Sequence, residues 1–486
     1  MKRKSIFFTL FVLIFGFCGT LSYFNYDSGV TSAVSQDASV WDGDYVSSES
    51  NLTESDWFNE NGNDYYIRSA AGLSYFAYSV NHGTSFRDKR IYLETDIDLN
   101  NQEWTPIGNG ENNFQGLFQG QGYAIYNLKI SKDNSGNVGF FGSLTDYSRV
   151  DNLHLKNVDV SVTVSSSASD YYIGTMVGNF NNTGNTDRTY TNSYITNCSV
   201  EGDIIVTSTV SGKNYYIGGL AGCIKNATVR TSSSEVDITT SSLRATNLRV
   251  GGLAGEVQFL TLADFHYDGS IDVTSTTTYG YLGGLIGLAI GKDASNLTTI
   301  SNAYSFGDMV LNNTGSSFYV GGLIGRVENA YFTINNIYHF GDIESNISSS
   351  WTNYVGGLIG HLQSASSVYT KVFDGFYVGD ISGRNVTINY LYSINSNLGT
   401  SQIPNVDGLY YDVDQKDASA SDVSSQIVNL DDIAKTRDFY GNERYWTSET
   451  SWDFSSTTSG WGISSGINEG YPYLILTHNL GNANND

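Results

Sequence analysis

Ile217-Gly218-Gly219-Leu220-Ala221-Gly222 is one copy of an element that returns four more times: Val250 to Gly255, Leu282 to Gly287, Val320 to Gly325 and Val355 to Gly360. Two degenerate copies precede them, at Val138 to Gly142 and at Ile173 to Gly178. The closing glycines Gly178, Gly222, Gly255, Gly287, Gly325 and Gly360 follow one another at 32–44 residues. A recurrence of that length marks an array of stacked units rather than a globular core. A second element lies between the copies: Glu201-Gly202-Asp203, Phe306-Gly307-Asp308, Phe340-Gly341-Asp342 and Val378-Gly379-Asp380, with Asp268-Gly269-Ser270 as a variant. From its glycine to the next copy the distance holds at 18–20 residues, whereas from copy to second glycine it ranges over 14–24. Length variation therefore concentrates in one connection. That predicts a stack with one loop-bearing edge, and rigid scaffolds most often carry function on such loops.

The segments between are rich in Val, Ile, Thr, Tyr and Ser and are bounded by Gly, Asn and Asp, which is strand-and-turn chemistry. About three strand-like runs occur per unit, fewer than the four that a propeller blade needs. The reading is an all-β parallel β-helix, one coil per repeat, each coil burying its apolar face against its neighbours. Glycine pairs suit tight bends and close backbone approach.

Composition agrees. The chain has 486 residues with 52 Gly but 3 Pro, 14% aromatic residues including 35 Tyr, and a net charge of -24. So many aromatics exclude global disorder, and the acidity argues against a nucleic-acid partner. Lys2, Arg3 and Lys4 precede an apolar stretch from Ile6 to Phe24, which reads as an export signal. Residues 1–33 are either a signal peptide cleaved after Ala33 or an uncleaved N-terminal anchor, which would be the one membrane contact. Phe17 rules out a lipobox at Cys18. Residues 34–63 read as a flexible acidic spacer, 64–476 as the solenoid with core repeats at 138–380 and a C-terminal cap, and 477–486 as a disordered tail. Cys198 and Cys223 are either bridged or two buried thiols.

The Gly-Gly-Leu-x-Gly unit resembles the GLUG-motif family of bacterial surface proteins. The flanks agree: Ile91 to Gly108, Phe114 to Leu128, and the closing Trp452-Asp453-Phe454, Trp461-Gly462-Ile463 and Asn468 to Pro472. The resemblance covers roughly residues 64–476 and implies a right-handed parallel β-helix on a secreted or wall-associated protein, often an adhesin. Some relatives carry a zinc peptidase domain; this chain has no His-Glu-x-x-His, so that activity does not transfer.

End coils need caps. Ser69 is placed to N-cap a helix whose Leu73, Phe76, Ala77 and Val80 share a face and which ends near Asn81-His82-Gly83. Leu430, Ile433 and Ala434 give a short helical pattern, after which Trp446, Trp452 and Trp461 supply bulky cover.

Catalytic patterns are weak. Gly462-Ile463-Ser464-Ser465-Gly466 lacks the following helix of a nucleophile elbow. His82, His154, His266, His339, His361 and His478 show no ligand spacing. The run from Asp412 lacks the glycine and glutamate of a calcium loop. Two columns stand out. Asp203, Asp308, Asp342 and Asp380 occupy equivalent positions; their carboxylates either cap turns or share a bridging cation such as calcium. Tyr172, Tyr216, Tyr281, Tyr319 and Tyr354 precede the first glycine of each unit by two residues, with Arg249 as the exception. Strand alternation places them outward unless a bulge resets it, and they form either a structural ladder or a binding stripe. The expected function is an exported, non-enzymatic solenoid without a cofactor, binding a host glycan, an extracellular protein or neighbouring surface components. The rivals are a carbohydrate-active β-helix enzyme and a structural coat protein.

Overall fold

A computed structural model of the chain describes residues 38–165, 168–182, 193–208, 210–291, 293, 297–329, 331–348, 351, 353–363, 370–394, 405–412, 434–435, 452–454, 460–464 and 467–475. The export segment and the tail expected at 477–486 lie outside this set. So do Trp446, most of the pattern around Leu430, and three of the variable connections, at 183–192, 294–296 and 364–369.

The chain winds into a parallel β-solenoid. Each Gly-Gly element ends one strand and begins the next. The strands that follow the glycines form their own eight-stranded parallel sheet, running from Phe141–Leu144 to Tyr392–Ile394. Equivalent residues pair rung to rung: Ile286 with Ile324 and Ile324 with Ile359, Ile300 with Ile334 and Ile334 with Val372, Val320 with Val355. The alternating Val, Ile and Leu point inward to one continuous core, as period-2 patterning on a half-buried strand requires.

Close packing explains the glycines. A Cβ on the second glycine of each pair would strike the residue facing it across the coil: the Ser234 hydroxyl from Gly219 at 2.3 Å, the Tyr267 ring from Gly252 at 2.2 Å, the His339 ring from Gly322 at 2.3 Å. In the second element, Gly307, Gly341 and Gly379 have φ of 133°, 145° and 143°, which a side chain rarely tolerates.

A third register device was not anticipated. Asn152, Asn197, Thr231, Asp264, Asn302, Asn336 and Asp374 are successive rungs of one column, and all adopt left-handed φ between 46° and 56°. Asn and Asp accept that region more readily than other side chains. Asn302 Nδ2 donates to Asp264 at 2.9 Å and Asn336 Nδ2 to Asn302 at 3.0 Å, so the turn amides link coil to coil.

The N-terminal helix runs Ala70–Asn81 with Ser69 accepting from Gly72 N–H, and its Leu73, Phe76, Ala77 and Val80 join the core. The spacer expected at 34–63 is corrected from residue 38 onward. Ser39–Val40 pairs with Ile97–Asp98, Trp41 is buried against Trp104, and Trp57–Asn59 forms an antiparallel hairpin with Asp64–Ile67. Its acidic composition hid two buried tryptophans that anchor it. Ala434 is also corrected: it lies in a strand pairing with Tyr411 and Asp412 of the edge strand, not in a helix.

Trp452 and Trp461 do not close the end of the stack. Among the described residues, Trp461–Ser464 and Ile467–Leu474 form a hairpin paired only with itself. Trp452 and Trp461 lie against the outer flank of the solenoid, in one apolar cluster with Tyr304, Phe306, Tyr338 and Phe376. The reason is legible in that flank. These coils carry outward aromatics, with Tyr304 stacked on Tyr338 at 4.7 Å and Tyr338 on Phe376 at 4.5 Å, and such a surface is too apolar to leave wet.

Candidate functional site

The Tyr column faces outward, as strand alternation requires. Tyr215 and Ile217 are core residues and Tyr216 between them is not. Its rungs run Asn137, Tyr172, Tyr216, Arg249, Tyr281, Tyr319, Tyr354 and Thr387 in unbroken register. Tyr172 stacks on Tyr216 at 4.5 Å, Tyr281 on Tyr319 at 5.8 Å and Tyr319 on Tyr354 at 5.9 Å. Arg249 completes the stack instead of breaking it. Its guanidinium lies 4.4 Å from the Tyr216 ring and 5.7 Å from Tyr281, a cation held between two π faces.

A second column, missed in the sequence, faces the first. It follows seven residues behind: Asn179, Cys223, Glu256, Leu288, Arg326 and His361 pair in succession on the post-glycine sheet. Arg249 bonds Glu256 at 2.5 Å, Arg326 lies 4.8 Å from the Tyr319 ring, and His361 lies 5.2 Å from Tyr354. In each pair both partners point away from the core, yet they meet. The bend at each glycine pair is therefore concave toward solvent, and successive bends align into a notch along the stack. A Cβ on Gly255 would sit 2.6 Å from Ile217 N, so the bare third glycine lets the two walls approach.

The floor of this notch is largely dehydrated. Burial pushes the Tyr216 hydroxyl up to about 12, with Arg249 opposing it, and raises the Glu256 carboxyl despite its Arg249 partner. Burial also lowers His361 to about 4, with the Arg326 charge adding to it. The walls above are wetter: Asp170, Asn214, Asn247 and Tyr279 on one side, Lys225, Gln258 and Gln363 on the other. Asn247 Nδ2 donates to Asn214 at 2.8 Å and Asn214 Nδ2 to Asp170 at 2.8 Å, an amide ladder parallel to the tyrosines.

The Asp column is longer than its motif suggested. Asp159, Asp203, Asp237, Ser270, Asp308, Asp342 and Asp380 form one line. Asp159 and Asp237 lack the preceding glycine and so escaped the pattern. The carboxylates take the N–H groups of the next coil: Asp237 from Ser270 at 2.9 Å, Asp308 from Asp342 at 2.9 Å, and Asp342 from Asp380 at 2.8 Å. A carboxylate that accepts a backbone N–H is stabilised without a metal. Among the described residues no group of three His, Cys, Asp or Glu side chains is arranged to hold an ion. Cys198 and Cys223 are separate buried thiols, and burial pushes Cys198 up to about 12. Ser464 and Gly462 of the Gly-x-Ser-x-Gly pattern lie on the C-terminal hairpin, while Ser465 and Gly466 lie outside the described residues.

No protein-family profile matches the chain. A protein of Evansella cellulosilytica, provisionally described as a Gly-rich membrane protein, is 29% identical over 118 residues, 24% of this chain. The match spans 13% of that protein's length. Among the described residues no helix is long and apolar enough to cross a membrane. A crystal structure from Bacteroides ovatus, provisionally described as an immunoglobulin A1 protease, is similar to 86% of this chain and 94% of its own, with 16% identity and a TM-score of 0.42.

Proposed function

We propose that this chain is an exported, non-enzymatic β-solenoid of the GLUG-motif kind that displays a rigid binding face outside the cell, in the manner of an adhesin. The observation that carries the reading is the unbroken outward column from Tyr172 to Tyr354, with its opposing column from Asn179 to His361. A surface fixed by strand register rather than by loops binds without first having to order itself. The basic and apolar start of the sequence supports export. The hydrogen-bonded state of the Asp column supports a structural role for those carboxylates over a catalytic one.

The test is an array of glycans and matrix proteins probed with the purified chain, run beside a depolymerisation assay on acidic polysaccharides. Saturable binding without turnover is the expected result. Turnover of any polymer refutes the non-enzymatic reading, and binding to nothing leaves the structural-coat reading in its place.

A further inference from the structure

The notch has properties that select its ligand. Its floor repeats once per coil, at the parallel-strand spacing of about 4.8 Å, which is close to the advance of one pyranose ring along an extended glycan. Its charges cancel locally: Arg249 is neutralised by Glu256 and Arg326 by Glu328 at 3.3 Å. That balance stands out in a chain with a net charge of -24. An acidic polymer finds no cationic surplus there, and a cationic one would be drawn to the Asp column instead. The walls carry the side-chain amides of Asn214 and Asn247 on one side and of Gln258 and Gln363 on the other, with Asp170 and Lys225 as one charge of each sign, and amides donate and accept together and so suit vicinal hydroxyl pairs. Tyr279, on the same wall, is 50% exposed and offers an aromatic surface for the apolar face of a sugar.

Resting on the binding-surface reading above, we infer that the notch holds a linear, neutral polysaccharide lying parallel to the solenoid axis, one sugar per coil. The six floor rungs from Tyr172 to Tyr354 set the length of the site.

The experiment is calorimetric titration of the full chain with neutral β-linked gluco- and manno-oligosaccharides of increasing length. Affinity is expected to rise with each added unit and to level off near the number of floor rungs. Asn247→Ala and Tyr279→Ala, both on the solvent side of the floor, should each weaken the longest oligosaccharide about tenfold. Thr274→Ala, on another outer face, should leave it unchanged, and melting profiles of all three establish that they fold. Three results overturn the inference: affinity independent of length, equal affinity in all variants, or binding only to charged glycans or to proteins. Those leave the broader binding reading standing, because the chain still binds. Failure to bind any arrayed target removes both.

Discussion

His339 gives the sharpest test of the buried architecture. It lies in the interior column that faces the glycine pairs, between Ser305 and Tyr377 on neighbouring coils. The Ser305 hydroxyl donates to Gly322 O at 2.8 Å, so His339 Nδ1, 2.8 Å from Ser305 Oγ, must carry a hydrogen and donate to that Oγ. His339 Nε2 is buried with no hydrogen-bond partner among the described residues. A proton added there would place a cation in the core without an acceptor, and burial accordingly lowers the pKa from 6.5 to about 3. The unfolded chain takes up that proton below pH 6.5 while the folded chain does not. Stability therefore falls as the pH drops through this window. Between pH 7 and pH 4.5 this one group costs about 2.5 kcal/mol. His339→Phe should remove that cost, and Tyr267 and Tyr377 in equivalent positions indicate that the site accepts a six-membered ring. Urea unfolding at both pH values is followed by the far-ultraviolet strand signal, which reads the solenoid itself, whereas Trp461 on the lateral hairpin would report that hairpin's release. The acid shift in the unfolding midpoint should be smaller in the variant. His154 and His361, also lowered to about 4, titrate in both proteins and cancel in the comparison. Equal acid sensitivity of the two proteins would refute the assignment of a neutral, trapped imidazole.

Three further outcomes are expected. Gly252→Ala should prevent stable folding, because its Cβ meets the Tyr267 ring at 2.2 Å and Gly284 O at 2.4 Å, and Tyr267→Ala should not rescue it since the carbonyl remains; Gly62→Ala, which meets nothing within 4 Å but has φ +75°, should cost only about 1 kcal/mol in a thermal melt. Arg249→Tyr should cost about 3–5 kcal/mol by stranding the Glu256 carboxylate, whereas adding Glu256→Leu copies the neighbouring Tyr281 and Leu288 rungs and should recover all but about 1 kcal/mol in chemical denaturation. Trp461→Ala should release the lateral hairpin, shifting tryptophan emission to the red while the far-ultraviolet strand signal persists, because the hairpin pairs with no described strand of the solenoid.

The repeat was legible because close packing fixes its residues over the central coils. At Gly252, Gly284 and Gly322 a Cβ would meet a backbone carbonyl of the next coil at 2.4 Å or less, and five successive coils keep glycine there, while Phe140, Thr175 and Tyr390 take the same place in the flanking coils. The left-handed turn column was equally present, with Asn197, Asp264, Asn302, Asn336 and Asp374 each five residues before the second glycine, but a short polar residue in an Asn-rich chain does not stand out. The notch was half legible. The tyrosines showed themselves by identity, whereas the opposing rungs differ at every coil and share only an offset of seven residues. That offset has meaning only once the bend is known to be concave. The lateral hairpin was not legible, since nothing local in Trp452 or Trp461 distinguishes covering an end from covering a flank.

The hairpin also bears on how the molecule is assembled. Its tryptophans touch Tyr304, Tyr338 and Phe376, which are far apart in sequence and become neighbours only after three coils have stacked in register. It lies C-terminal to all of them, so during vectorial synthesis it emerges when those coils already exist. A slip of one residue in any of the three would turn an aromatic ring inward and leave the hairpin nothing to grip. The seat of the hairpin is thus a property of the finished stack and of no single coil: its tryptophans are buried only where three rungs stand in this register.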